Sequence, residues 1–388
     1  MKRGSYPMNL QVKFKTPGFA DCDIEVQAKG FLAASVYWAD KNGPLPEWSS
    51  LAVFPINPSG TGSYSFDGHR AIPIAATHLC AKCISSDFSK VEEGLFEIPE
   101  AFRPQILTGS LIGAFSLMSD LHLSGKPGKI LRALNAVNSD ILIAGDLVND
   151  GYANQFQLFQ KCIEETAADK RILSVTGNHD QLLKAKDTAE SFGYDAFQEY
   201  LFTRAGNMGY HFQKDISDAY AVCHNNIDII GLQCVSVNRK FGFSAETLTW
   251  LQAHLEHTKD LKWHIILCHA PLLAHNPHRN DGAAYYHGND ILQGILDNYT
   301  HIIFVSGHTH FSPNTRQGNV EYLPDRHTIY IDAGSIVPTE LTGEPLMPAE
   351  WHDGVTAELE FWDSFVEIKY HSIHTSKLFP RGYYCFHV

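Results

Sequence analysis

The sequence predicts an antiparallel β domain followed by an α/β domain, and three observations carry that expectation. Up to about residue 105, short apolar and β-branched stretches are separated by Gly, Pro and Asn turns, with helical periodicity nearly absent. From about residue 110, apolar runs alternate with helical patterns, which is the grammar of layered α/β structure. Several of those later runs end on Asp, His or Asn, the place where open α/β sheets collect ligands.

In the first part, strands are expected at 9–14, 23–28, 31–38, 50–56, 71–84 and 94–98. Thr16-Pro17-Gly18, Lys41-Asn42-Gly43-Pro44 and Pro58-Ser59-Gly60-Thr61-Gly62 punctuate them as turns. Many short strands at such spacing predict a β-sandwich of immunoglobulin or fibronectin type. The stretch 99–105 reads as a link, dividing the chain into 1–105 and 106–388.

In the second part, strands are expected at 114–118, 141–144, 172–175, 264–268, 302–305 and 328–331. Helices are expected at 128–137, 153–167, 194–204, 245–257 and 290–299. Ser244 is placed to cap the fourth helix, and Leu248, Leu251 and Leu255 share one of its faces. Stretches 220–224 and 227–235, split by Asn225-Asn226, read as a hairpin, and 356–362 and 365–371 alternate as two further strands.

A chain of 388 residues can hold two cores, and 19% charged against 44% apolar residues is ordinary for a globular protein. No apolar run reaches membrane-spanning length, and no h-region follows Lys2-Arg3, so neither an anchor nor a signal peptide is expected. A net charge of −13 without a basic face argues against nucleic-acid binding. The eight cysteines are scattered, as suits a reducing cytoplasm. Cys80 and Cys83 lie three apart in a strand-like run, so they point to opposite faces and read as structural.

The run 172–175 breaks on Gly177-Asn178 and then presents His179 and Asp180. Alone, that could be a solvated turn. Four other runs end similarly: 114–118 on Asp120-Leu121-His122, 141–144 on Gly145-Asp146, 264–268 on His269, and 302–305 on Gly307-His308-Thr309-His310. Converging at one sheet edge, these would supply the imidazole, carboxylate and amide donors that suit two transition-metal ions.

This ordered set resembles the calcineurin-like metallophosphoesterases, over roughly residues 110–340. The resemblance implies a four-layer α/β/β/α sandwich. It assigns Asp120, His122 and His310 to one metal, Asp146 as a bridge, and Asn178, His269 and His308 to the second. His179 would bind phosphoryl oxygens and protonate the leaving group, and Asp180 would orient it. The cofactors would be two divalent or trivalent ions, Fe, Mn or Zn. Hydrolysis of a small-molecule phosphoester by a hydroxide bridging them would follow. Diesters are the first expectation, because the motif set is similar to the cyclic-nucleotide and glycerophosphodiester branch. A phosphomonoesterase and a non-catalytic binding module are the alternatives.

The segment His275-Asn276-Pro277-His278-Arg279, with Tyr285-Tyr286-His287, reads as a loop shaping substrate access, and Arg279 as a partner for a second charge on the substrate. His211 could line the same mouth. Asp150 lies too far past Asp146 to share its metal, and the sequence carries no signal for oligomeric state.

Overall fold

The long apolar runs become the strands of two mixed sheets that pack against each other. The computed structural model describes residues 8–66, 68, 70–104, 108–181, 193–213, 219–233, 235–237, 240–272, 274–275, 288–314, 318–337 and 354–388. Positions 278, 279 and 285–287, singled out above as a loop over the site, lie outside the described residues, as do the 105/106 boundary and Cys234.

One sheet runs in the order Ile172–Ser174, Asp140–Ile143, Leu111–Met118, Val355–Trp362, Phe365–Ser372, Leu378–His387. Its first three strands are parallel and the rest antiparallel. The other runs Phe212–Gln213, Ala219–His224, Ile227–Leu232, Trp263–Cys268, Ile302–Ser306, Thr328–Asp332, Val320–Leu323, with four parallel strands at its centre.

Leu117, Leu142, Ile229, Leu267, Val305, Leu359 and Ile368 meet between the sheets. On the outer side of the first sheet, Gly128–Ala136, Ala153–Thr166 and Tyr194–Asn207 set Ile130, Leu134, Phe156 and Phe197 on Met118, Ile141 and Ile143. On the outer side of the second, Ala245–Thr258 and Asn289–Leu296 set Leu248, Leu251, Leu255 and Leu292 on Ile230, Ile266 and Phe304. Burial on both faces explains why these strands read as unbroken hydrophobic runs rather than alternating ones. Ser244 Oγ accepts the Thr247 N–H at 3.0 Å, starting its helix at the expected cap. Among the described residues, no helix is long and apolar enough to cross a membrane.

The N-terminal region forms two antiparallel sheets. Asn9–Phe14, Cys22–Gln27 and Thr61–Phe66 make one. Gly43–Pro44, Phe31–Asp40, His78–Ser85 and Val91–Glu97 make the other, with Ala52–Pro55 paired to Phe31–Asp40. Ile24, Val26, Phe66, Val36, Trp38, Leu79 and Ala81 share their core.

Among the described strands, three show most clearly how the structure departs from the expected pattern. Thr61–Phe66 takes over the end of what reads as a turn, because its alternate residues Gly62, Tyr64 and Phe66 are buried. The run 71–84 is strand only from His78, since Ala76 N–H donates to Pro73 O at 2.9 Å and closes a turn first. Leu378–His387 carries Pro380 and Gly382, residues that argue against a strand, yet it forms an outer strand of the first sheet.

That outer strand is where the two regions join. Leu378 N–H donates to Glu47 O at 2.8 Å, Ser49 N–H to Leu378 O at 2.9 Å, and Ala71 N–H to Tyr383 O at 2.9 Å. Tyr383 packs into the N-terminal core, its ring 5.2 Å edge-on from Trp48.

Candidate metal centre

The residues singled out in the sequence follow the carboxyl ends of parallel strands, and the structure brings them to one edge of the sheet pair. Asp120 and His122 follow Leu111–Met118, Asp146 follows Asp140–Ile143, Asn178–Asp180 follow Ile172–Ser174, His269 follows Trp263–Cys268, and His308 and His310 follow Ile302–Ser306. Sheet pairing locks the loops together: Leu121 and His122 N–H both donate to Asp146 O, at 2.8 and 3.0 Å, and Gly307 N–H donates to His269 O at 3.1 Å.

The backbone here is unusual. Asp120, His122, Asp146, His308 and His310 all have φ between 45° and 72°, the left-handed region that side-chain-bearing residues seldom adopt. Asp and His tolerate it better than most, and such conformations cluster where surrounding structure over-determines them for function. Each turn folds its side chain back onto the sheet edge. Gly177 is required by proximity: a Cβ there would fall on Asp146 Oδ1.

Two groups of donors result. In the first, ligand atoms of Asp120, His122, Asp146 and His310 all lie within 4.8 Å of one another. His310 Nε2 is 3.2 Å from Asp120 Oδ1 and 3.0 Å from His122 Nε2, which is itself 3.6 Å from Asp146 Oδ2. In the second, Asn178 Oδ1 lies 3.1 Å from His269 Nε2 and 3.0 Å from His308 Nδ1, and His269 Nε2 lies 3.4 Å from Asp146 Oδ2. Asp146 therefore stands between both groups.

The donor set fits metal ions. His269 Nδ1 faces Ala144 O at 2.7 Å and His310 Nδ1 faces Val337 O at 2.9 Å. Both carbonyls accept only, so each Nδ1 carries a proton, and in the neutral ring each Nε2 is left as a lone pair. Those lone pairs point at carboxylate and amide oxygens. Acceptors crowded on acceptors in a buried site repel unless a positive charge, a metal ion or the proton of an imidazolium, sits among them.

The electrostatics match. Burial alone would raise Asp146, but His269, His122 and His179 outweigh it and hold the carboxyl below its ordinary range. Asp120 follows the same pattern, burial being outweighed by the bond and charge of His310 and the charge of His269. Burial, reinforced by His269, lowers His308 to about 4, keeping that ring neutral and able to ligate.

His179 is half-buried beside the first group, its ring 4.4 Å edge-on from His122. Its N–H donates to Asp146 Oδ1 at 2.8 Å, and its ring Nδ1 to Asn149 O at 2.8 Å. The expectation that Asp180 orients this ring needs revision. Asp180 is fully buried and accepts from Val148 N–H at 3.0 Å and Gly177 N–H at 2.9 Å. The Val148 N–H it holds is next in the chain to Asn149, whose carbonyl faces the His179 ring. Burial and the nearby Asp146 push its pKa up to about 7.

Several supporting residues escaped the sequence reading. Ser119 Oγ donates to Asp120 Oδ2 at 2.6 Å, and Ser335 Oγ donates to Asp120 O at 3.3 Å. The carbonyls of Ala144, Asn149 and Val337 left no trace, because a backbone acceptor has no residue signature. Asp150 accepts from Gln155 Nε2 at 3.0 Å at the start of the next helix and stays clear of the cluster. His275 stacks on Tyr330 at 3.7 Å.

The calcineurin-like phosphoesterase family profile matches residues 115–312, slightly over half of the chain. The chain belongs to the calcineurin-like phosphoesterase family. Membership accounts for the metal-type donor set, since this family's chemistry is metal-dependent hydrolysis of phosphoesters. No curated protein matches the chain. Among solved structures, a conserved protein of Streptococcus pneumoniae described as a "predicted phosphoesterase" is similar at 11% identity, covering 71% of this chain and 98% of that one, with a TM-score of 0.34. Vacuolar Protein Sorting 29 from Cryptosporidium parvum is similar at 12% identity, covering 71% and 97%, TM-score 0.29. Vps29 of Chaetomium thermophilum is similar at 10%, covering 67% and 90%, TM-score 0.29.

Proposed function

We propose that this phosphoesterase is a dinuclear metal-dependent phosphodiesterase. The observation that supports it is the pair of donor groups sharing Asp146, with imidazole lone pairs and carboxylates turned on one another. In this reading Asp120, His122 and His310 hold one ion, Asn178, His269 and His308 hold the other, and Asp146 bridges. Bound ions, of which Fe, Mn and Zn suit these donors, would supply Lewis acidity and an acidified water.

The chain's own groups do the rest. Asp146 binds with its carboxylate while its Oδ1 accepts the His179 N–H, so one residue fixes both the ligand set and the neighbouring imidazole. His179, with Nδ1 committed to Asn149 O, has Nε2 left to meet a phosphoryl oxygen and pass a proton to the leaving group. Asn178 is uncharged, so an ion held there would stay more electrophilic. The preference for diesters rests on the motif resemblance. We also assign 1–105 to a β-sandwich of immunoglobulin or fibronectin type and 106–388 to the catalytic domain.

Turnover of bis(p-nitrophenyl) phosphate with added Mn²⁺, set against p-nitrophenyl phosphate, tests the reading. Diester hydrolysis lost to chelator and restored by metal is expected. Hydrolysis of the monoester alone would make the protein a phosphomonoesterase, and no turnover with Mn, Fe or Zn would leave a binding module.

A further inference from the structure

The His308–His310 turn is held from behind by a carboxylate outside the donor set. Asp332 closes the strand Thr328–Asp332, pairs in register with Ser306, and is 1% exposed. Its Oδ2 accepts the Thr309 hydroxyl, and its Oδ1 accepts Gly334 N–H at 2.9 Å. The residue is itself pinned: its N–H donates to Asn319 O at 2.8 Å, and its carbonyl accepts Asn319 Nδ2 at 3.1 Å and the Tyr370 hydroxyl.

Both contacts lead to the first donor group. Thr309 lies between His308 and His310. Beyond Gly334, Ile336 N–H donates to Ser119 O at 3.2 Å, Ser335 Oγ donates to Asp120 O at 3.3 Å, and Val337 O accepts His310 Nδ1 at 2.9 Å. The carboxylate thus ties the turn that presents His310 to the segment that aims its ring and steadies Asp120. His308 has tethers of its own, through its N–H on Asp120 at 3.1 Å and Gly307 N–H on His269 O at 3.1 Å.

We propose that Asp332 is a positioning residue that sets cation affinity at Asp120, His122 and His310, acting through the Thr309 hydroxyl and the Gly334 N–H. The effect falls on that site rather than on the one formed by Asn178, His269 and His308. The inference rests on the two-ion reading above, but not on turnover.

The test is Mn²⁺ binding to the full chain by calorimetry, with electron paramagnetic resonance to separate a coupled pair from a single ion. Thr309→Val keeps the shape and removes the hydroxyl; Thr309→Ser restores it. Thr309→Val and Asp332→Ala are each expected to weaken one Mn²⁺ by about 10–100-fold, the range for partners that orient ligands. The second ion should stay unchanged, and the coupled signal should give way to a mononuclear one. Thr309→Ser should bind as wild type, and the double variant should be no weaker than Asp332→Ala alone, since the Thr309 bond is one of the two through which Asp332 acts. If Asp332→Ala does not fold, the Thr309 pair decides. Wild-type binding of both ions by Thr309→Val, or equal weakening of both, would overturn the proposal, as would a wild type that binds fewer than two Mn²⁺. Two bound ions with no ester hydrolysis would sink the phosphodiesterase reading and leave this one standing.

Discussion

Asp146 accepts the backbone N–H of His179 on Oδ1 at 2.8 Å while its Oδ2 lies 3.4 Å from His269 Nε2 and 3.6 Å from His122 Nε2. One carboxylate therefore belongs to both donor groups and also fixes the loop that carries the adjacent imidazole. Asp146→Ala is expected to lose both ions and, with them, hydrolysis by at least ~10³-fold. Metal analysis alongside bis(p-nitrophenyl) phosphate turnover checks it. Retained activity in metal-stripped Asp146→Ala would sink the bridging assignment.

His179 bonds to the donor set through its backbone, while its ring bonds to Asn149 O and lies edge-on to His122. His179→Ala should keep its metals and lose about 10²–10⁴ in kcat, the usual range for a proton-transferring group. Asn178→Ala should lose the second ion instead. If His179→Ala came off the column as metal-poor as Asn178→Ala, the division of labour between these neighbours would be wrong.

Gly177 gives Asp146 room. Adding a Cβ places it on Asp146 Oδ1 and 2.5 Å from Asp146 N, with backbone on one side and a fully buried carboxylate on the other. Gly177→Ala is expected to destabilise by about 1–3 kcal/mol, as overpacking does, and to displace the bridging carboxylate. Thermal melts with and without Mn²⁺ should show the variant losing most of the metal-dependent rise in Tm.

Acid sensitivity should come partly from His371, half-buried on Phe365–Ser372. Burial lowers its pKa to about 4, with Lys369 reinforcing and Glu360 opposing. The unfolded chain takes up this proton near pH 6.5 and the folded one only near 4. The stabilising contribution is therefore complete above about 6.5 and is lost as pH falls toward 4. Allowing for partial exposure, the loss is ~1–2 kcal/mol. His371→Asn should flatten that part of the stability profile, measured by urea unfolding across pH; an unchanged slope would exclude His371 as the source.

The donors were legible because each follows an apolar run and breaks it with a residue that has no place in a core. Asp146 after Ile141-Leu142-Ile143 and His269 after Ile265-Ile266-Leu267 are of this kind. What was hidden was hidden for physical reasons. Asn149 and Val337 act through carbonyls that any residue would offer. Asp332 looks like the end of a strand, and only the fold brings it to Thr309. Asp180 sits in the loop beside His179, but its oxygens accept from the Val148 and Gly177 N–H groups, contacts that have no sequence signature. The strand Leu378–His387 was masked by Pro380 and Gly382, whose local preferences are overridden by pairing with Phe365–Ser372 on one side and N-terminal backbone on the other.

That last strand gives the N-terminal sheets a protective role, whatever else they do. Glu47, Ser49 and Ala71 occupy backbone groups along a sheet border that would otherwise face solvent. A shortened protein beginning after those sheets would carry bare N–H and C=O groups beside a newly wetted Tyr383. Unpaired borders of that kind recruit other chains. Removing those sheets is therefore expected to yield self-associating material.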